Sequence, residues 1–231
     1  SHNDLAAGVD LYHTDHSRAG ISVMHTNSSL DRTENLGEVS MKKKFTRVSL
    51  YGRHDFAGGL YAAGDVFAGG IRIKDTSLVD MSTRTAGVHA EVCVDVPAGR
   101  GTITPLVRAA YAGIRGFTTK DGEGFPFTMK ESHYSSFSAG LKASLPLSPV
   151  SLLTAYAGWG IRTGYDIDGT MSDAWNTMDI SESGKEHVKT LGIGYRCDVT
   201  PFARLSLSAA REFSSGLHDD WNFQVSAAYK F

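Results

Sequence analysis

The chain has little that would suit a soluble helical enzyme or a helical membrane protein. No apolar run reaches the roughly 18 residues that a membrane-crossing helix needs. Helical periodicity is scarce. Six prolines are too few for a proline-rich linker, and the 25 glycines follow no collagen period. Lys and Arg total 23 against 25 for Asp and Glu, so the clustered basic excess of a nucleic-acid binder is missing and no nucleic-acid partner is expected. Cys93 and Cys197 are the only cysteines, which gives no disulfide framework and no firm redox compartment. The opening SHND has neither an initiator Met nor a signal peptide, so the chain reads as a piece of something longer.

What is present is alternation. From Thr85 to Val96, Ala86, Val88, Ala90, Val92, Val94 and Val96 take one face. Gly87, His89, Glu91, Cys93 and Asp95 take the other. Phe137, Ala139, Leu141, Ala143 and Leu145 oppose Ser136, Ser138, Gly140, Lys142 and Ser144 in the same way. At the end of the chain, Trp221, Phe223, Val225, Ala227, Tyr229 and Phe231 alternate with Asn222, Gln224, Ser226, Ala228 and Lys230. A period of two marks a strand with one apolar and one polar face. Eleven such strands are predicted, over 5–13, 18–27, 44–56, 59–73, 84–97, 101–116, 133–146, 150–165, 187–199, 203–214 and 221–231.

Short connections (HTDHS, DFAGG, PAGRG, PLSPV, TPFA) alternate with long polar ones around 28–43, 74–83, 117–132 and 166–186 and the shorter 215–220. A meander with tight turns on one side and long loops on the other is the pattern of an outer-membrane barrel. Alternation alone does not say which face is inside. Three features favour apolar-out: strands about as long as the 9 to 11 residues that cross a bilayer at a tilt, aromatics near strand ends, and polar faces bearing both charge signs. Those charges include Arg47, Arg53, Asp65, Glu91, Asp95, Arg108, Lys142, Arg162, Arg196 and Glu212. The fold class expected is all-β, an antiparallel up-and-down transmembrane barrel. An odd number of strands would leave an open edge in lipid, so a further strand upstream of residue 1 is expected, making about twelve. One domain, 1–231, follows from this, lacking its first strand.

VSLYGRHDFAGGLYAAGDVFAGG (48–70), TRTAGVHAEVCVDVPAGRGTITPLVRAAYAGI (83–114) and LSLSAAREFSSGLHDDWNFQVSAAYKF (205–231) resemble, in that order, hairpins of the autotransporter translocator β-domain. The likeness covers nearly the whole chain, and its order and spacing are more specific than any one segment. The resemblance implies an outer-membrane barrel that anchors an upstream passenger and helps export it to the cell surface by type V secretion, with long loops at the surface and short turns in the periplasm. It implies a pore helix upstream as well. The partners it implies are outer-membrane lipid, the chain's own passenger and linker helix, and the barrel assembly machinery. Phe231, with Tyr229, resembles the family's terminal assembly signal. Arg47, Arg53, Asp65, Glu91, Arg108 and Arg196 are lumen-facing candidates for contacting the passing segment; mutual ion pairing is the plainer account of them. Two other barrels stand as alternatives: a free-standing pore or adhesin-like barrel, and an outer-membrane hydrolase.

No catalytic, cofactor or metal site is expected. His13 and His16 share a tight turn with Asp15 but no further ligand completes a metal site. Asp166, Asp168, Asp173 and Asp179 lack the spacing of a calcium loop. Asp121-Gly-Glu-Gly124 follows no strand-to-helix unit, so it is a turn and not a phosphate cradle. Arg53-His54-Asp55 and His218-Asp219-Asp220 lie on opposite sides of the sheet, and no second acidic–histidine set faces the latter. Cys93 and Cys197 fall on opposite faces of distant strands, so no disulfide is expected. Met81, Met129, Met171 and Met178 are placed in the long loops.

Overall fold

The computed structural model describes residues 2–34, 37–75, 80–120, 125–164, 167–172, 177–182, 184–200, 203–215 and 220–229. Its strands are β1 (His2–His13), β2 (Ser17–Glu34), β3 (Gly37–Asp55), β4 (Leu60–Asp75), β5 (Asp80–Val94), β6 (Val96–Ala98), β7 (Gly101–Ile114) and β8 (Phe117–Lys120). They continue with β9 (Pro126–Met129), β10 (Ser132–Ser148), β11 (Ser151–Thr163), β12 (Ile167–Ser172), β13 (Thr177–Glu182), β14 (Lys185–Asp198), β15 (Ala203–Ser214) and β16 (Asp220–Tyr229). The main sheet runs β1-β2-β3-β4-β5-β7-β10-β11-β14-β15-β16, with the short β6 paired to β7. Every neighbour in it is antiparallel and next in chain order among the long strands, so it is an up-and-down meander. Among the described pairings, β1 bonds only β2 and β16 only β15, which leaves the curled sheet with two open edges.

Burial decides which face is which. Leu5, Val66, Ile193 and Phe223 stand 74%, 52%, 58% and 73% exposed, and most of the other large residues of the apolar face are exposed as well. The buried side chains among the described residues, Tyr61, Cys93, Leu106, Val188, Thr26, Ser49, Thr85 and Thr104, all lie on the polar face. A soluble sandwich would bury the first set. Contacts that skip a strand identify the polar face as the concave one. The Tyr51 hydroxyl on β3 donates to Asp10 Oδ1 on β1 at 2.5 Å, across β2. The Arg108 guanidinium on β7 lies 5.2 Å from the Tyr156 ring centroid on β11, across β10. Arg162 on β11 pairs with Glu212 on β15, across β14. No helix among the described residues is long and apolar enough to cross a membrane.

The turns follow local chemistry. Ala57–Gly59 forms a single 3-10 turn between β3 and β4, and Gly58 and Gly59 take φ of 73° and 80°, where a side chain would be strained. Beyond the bilayer the sequence expectation needs correction. The connection read as 28–43 is largely strand, since β2 reaches Glu34 and β3 begins at Gly37. A backbone ladder needs no apolar face once it rises out of lipid, so the alternation that marks the crossing segments stops before the strands do. The long connections 117–132 and 166–186 carry a second, four-stranded sheet in the order β13-β12-β9-β8. Phe117 and Phe127 pack with ring centroids 6.3 Å apart, and the Thr118 and Thr128 hydroxyls bond at 3.2 Å. Met129, Met171 and Met178 therefore belong to strands of this small sheet, and Met81 to β5, rather than to loops. Strands of four to six residues are too short for a period of two to stand out.

Candidate functional site: the concave polar face

The concave face holds three groups of side chains. Nearest the short turns, Arg53 donates to Asp55 Oδ1 from Nε at 2.8 Å and from Nη2 at 2.5 Å, while its guanidinium carbon sits 3.7 Å from the Tyr61 ring centroid. Tyr61 bonds the Cys93 thiol, and the two pack with Leu106 into the fully buried cluster of the fold. Beside them the Thr104 hydroxyl donates to Asp95 Oδ1 at 2.6 Å. Alternation puts Arg53 and Asp55 on one face and His54 on the other. His54 Nδ1 bonds the Ser17 hydroxyl at 2.7 Å, and its ring meets Phe56 edge-on. The Arg-His-Asp triplet is thus split between faces and aims at no common point.

At mid-height, Arg108 Nε reaches Glu91 Oε2 at 2.9 Å, and His89 Nδ1 lies 3.3 Å from Asp65 Oδ1. Arg47 lies over the Phe67 ring at 5.2 Å. Arg47 Nε, Ser49 Oγ and Asp65 Oδ2 are buried without a protein hydrogen-bond partner. All three belong to the β3–β4 part of the face: Ser49 is in register with Phe67, Arg47 with Gly69, and Asp65 with Tyr51. Leaving a buried polar atom unbonded costs about 1–3 kcal/mol.

Toward the long connections, Arg162 is held between Glu212 and Glu186, and the Ser214 hydroxyl donates to Glu186. A cavity of about 230 Å³ opens there over Gly158 and Gly160, lined by Arg108, Tyr134, Tyr156, Arg162 and Glu212.

Of the residues expected from sequence, Arg47, Arg53, Asp65, Glu91 and Arg108 all occupy this face, and Glu91 and Arg108 meet directly. Arg53 joins Asp55 instead of another candidate, and Asp65 joins a histidine. Arg196 is exposed near the short-turn rim, next to the Arg204–Asp198 pair, whose Nε–Oδ1 distance is 2.5 Å. The Arg162–Glu186–Glu212 group was not foreseen as a unit, because the long connection before Lys185 hides the register that pairs Arg162 with Glu186. Tyr229 pairs through its backbone with Ala203, and its side chain, like Phe231, lies outside the described residues. So do Asp121 to Gly124, Asp166, Asp173, His218 and Asp219, together with the side chains of Asp168 and Asp220. Cys93 and Cys197 are free thiols.

A curled antiparallel meander with an apolar convex face and a charged concave face defines a bacterial outer-membrane β-barrel. The sequence matches the Autotransporter beta-domain family over residues 1–210, and the chain belongs to that family, whose barrels serve passenger export across the outer membrane. Solved structures show the same fold. The β-domain of the Bordetella autotransporter BrkA aligns with a TM-score of 0.72 at 16% identity, covering 100% of this chain and 90% of that one. The transport unit of AIDA-I from Escherichia coli gives 0.72 at 16% identity, with 100% and 82% coverage. The translocator domain of NalP from Neisseria meningitidis gives 0.67 at 17%, with 100% and 80%. LpxR from Salmonella typhimurium is more distant, at 0.60 and 12%. No curated protein sequence matches the chain significantly.

Proposed function

We propose that the concave face conducts and holds a segment of the chain's own upstream passenger or linker, with the long connections at the cell surface and the short turns in the periplasm. The observation that carries this is the stripe Arg47, Ser49 and Asp65 on the concave face, whose Nε, Oγ and Oδ2 atoms are buried without a protein hydrogen-bond partner. Both charge signs line the same face, so water and a polar backbone are tolerated along it. The role is read as structural: His54, His25 and His89 are tied to Ser17, Thr46 and Asp65 on neighbouring strands, His187 stacks on Trp159, and His133, which lies between the Tyr111 hydroxyl and Glu131, has its carboxylate 4.0 Å away on the exposed surface. The two edges must find pairing, with each other or with a further strand, because unpaired backbone groups in lipid cost several kcal/mol each, as an order of magnitude. The outer-membrane assembly machinery is the partner this reading expects for the last strand.

The test uses the full-length gene in cells, with an epitope tag upstream of residue 1, and protease added to intact cells. Stripping of the tag with survival of the barrel supports export through or alongside this domain. A tag that stays protected while surface-exposed control proteins are digested overturns the translocator role.

A further inference from the structure

The cavity over Gly158 and Gly160 owes its shape to the way Tyr156 lies. The ring rests on glycine: a Cβ added to Gly140 would fall 2.7 Å from Tyr156 Cε2 and 2.8 Å from its hydroxyl oxygen. Gly140 and Gly158 are in register on β10 and β11, so the two strands give the ring a bare floor. The ring packs against the cluster of Tyr61, Cys93 and Leu106, and its hydroxyl stops beside Gly158 at the edge of the cavity. Gly160 is bare for another reason, since a Cβ there would meet the Phe137 carbonyl at 2.7 Å and Ser138 Cβ at 2.8 Å. The hollow of about 230 Å³ that remains has room for several waters or for one residue of a peptide.

Two hydrogen-bond donors border this hollow together. Arg108 bonds Glu91 through Nε at 2.9 Å, and among the described residues its two Nη atoms make no hydrogen bond. The Tyr156 hydroxyl makes none among them either, and the Arg108 guanidinium carbon lies 5.2 Å from that ring's centroid. A planar fork of N–H groups beside a hydroxyl suits an acceptor oxygen. The neighbours decide the charge of that acceptor. Arg108 already has Glu91, and Arg162 is engaged by Glu212 and Glu186. Lys142, in register with Tyr156, stands outside the cavity lining. A carboxylate would have to compete with Glu91 for Arg108 and would lie near Glu212. A neutral carbonyl takes the Nη hydrogens and leaves the ion pair whole.

We infer that Arg108 and Tyr156 form a carbonyl-binding site in this hollow, and that it takes a peptide carbonyl of the chain's own upstream segment where that segment lies in the lumen. A segment there brings backbone carbonyls that need donors wherever they leave water. The Arg108 Nη groups and the Tyr156 hydroxyl supply donors without calling for a side-chain charge to match. The inference rests on the reading that the concave face holds that segment, and it names the atoms and the group that meet.

The test uses the full-length protein in intact cells, with the photo-crosslinker p-benzoylphenylalanine in place of Thr190 on the β14 side of the cavity. Thr190 is in register with both Gly158 and Glu212. The variant is Arg108→Lys/Tyr156→Phe, which keeps a cation for Glu91 and a ring on Gly140 but removes the Nη fork and the hydroxyl. Barrel folding is checked by heat-modifiable gel mobility. The expected result is a cross-link to a discrete stretch upstream of residue 1, about tenfold weaker in the double variant for the hydrogen bonds removed. Equal yield in parent and variant overturns the inference, as does a cross-link to the barrel's own strands alone. A cross-link mapped to an Asp or Glu, and lost when that residue becomes its amide, would mean that the site reads charge, and also overturns it. If the chain with the crosslinker at 190 does not fold, the crosslinker moves to Ser138, which faces the same hollow from β10, and the same outcomes are read. If the double variant does not fold, Tyr156→Phe alone is read, with about a threefold loss expected and no loss overturning the inference. Passenger export without this cross-link sinks this inference alone, and the cross-link without surface exposure of the passenger sinks the translocator reading alone.

Discussion

The Arg53 guanidinium packs face-on over the Tyr61 ring, 3.7 Å from its centroid, while the same guanidinium is anchored by Asp55. Adjacent register positions on β3 and β4 bring them together at the base of the concave face, where Tyr61 is only 4% exposed. A cation over a desolvated ring contributes about 0.5–2 kcal/mol beyond area burial. Tyr61→Phe keeps the ring and gives up only the hydroxyl bond to Cys93, so its unfolding free energy in lipid vesicles is expected to fall by under about 1.5 kcal/mol. Tyr61→Leu loses the ring as well and is expected to lose about 1 kcal/mol more. Equal losses in urea titrations of the two variants would remove the cation–ring contact from the account.

Gly20 gives a second test, through backbone crowding. A Cβ placed on it would fall 2.2 Å from the Val9 carbonyl and 2.5 Å from the Tyr51 hydroxyl, because Tyr51 crosses above Gly20 to reach Asp10. Gly20→Ala must displace Tyr51 and loosen β1 from β2, an overpacking cost of about 1–3 kcal/mol. Gly52→Ala, whose nearest neighbour is the Arg18 carbonyl at 3.7 Å, is expected to be neutral. Unfolding midpoints measured side by side decide it, and equal midpoints would show that the ring moves freely.

Much of this was legible in the sequence because a membrane strand writes its environment into a period of two. Ala86, Val88, Ala90, Val92 and Val94 announced both the β5 strand and its lipid face, and the short turns at Ala57–Gly59 and Gly99 announced themselves through glycine. Which of the two faces lay inside was not in the alternation. It needed strand length and the charges Asp65, Glu91 and Arg108, and the burial of Thr104 and Ser49 on the polar face then decided it. Two kinds of feature were illegible for physical reasons. Above the bilayer both faces of a strand are wet, so β8, β9, β12 and β13 carry no contrast to read. The partners of Arg162 depend on register across long connections, and register is fixed by the whole ladder and not by local sequence.

The inverted faces make a direct prediction about charge tolerance. Leu141 is 55% exposed on the convex face at the middle of β10, whereas Ser138 lies on the concave one. A lysine facing hydrocarbon near the bilayer midplane costs about 2–4 kcal/mol. Leu141→Lys is therefore expected to lose that much stability in vesicles, with slower insertion, and Ser138→Lys to lose less than about 1 kcal/mol because it enters the wet side. Reversal of that order in denaturant titrations would mean that the faces have been assigned the wrong way round.

The Glu91–Arg108 pair separates structural pairing from a contact reserved for the passenger. Its Nε–Oε2 distance is 2.9 Å and the two side chains are 20% and 39% exposed, so water screens part of the attraction. A double-mutant cycle with Glu91→Gln and Arg108→Gln in the isolated folded domain is expected to give a coupling of about 0.2–1 kcal/mol, shrinking as salt rises. Arg108 also leans on Tyr156 from two strands away, so Arg108→Gln alone should cost more than Glu91→Gln alone. If the pair is purely structural, passenger export in cells will track the stability of each variant. Export that falls several-fold in a variant with parental stability would show that these side chains also touch the moving segment. A coupling of zero in the isolated domain would mean that the two charges find their partners elsewhere in the lumen.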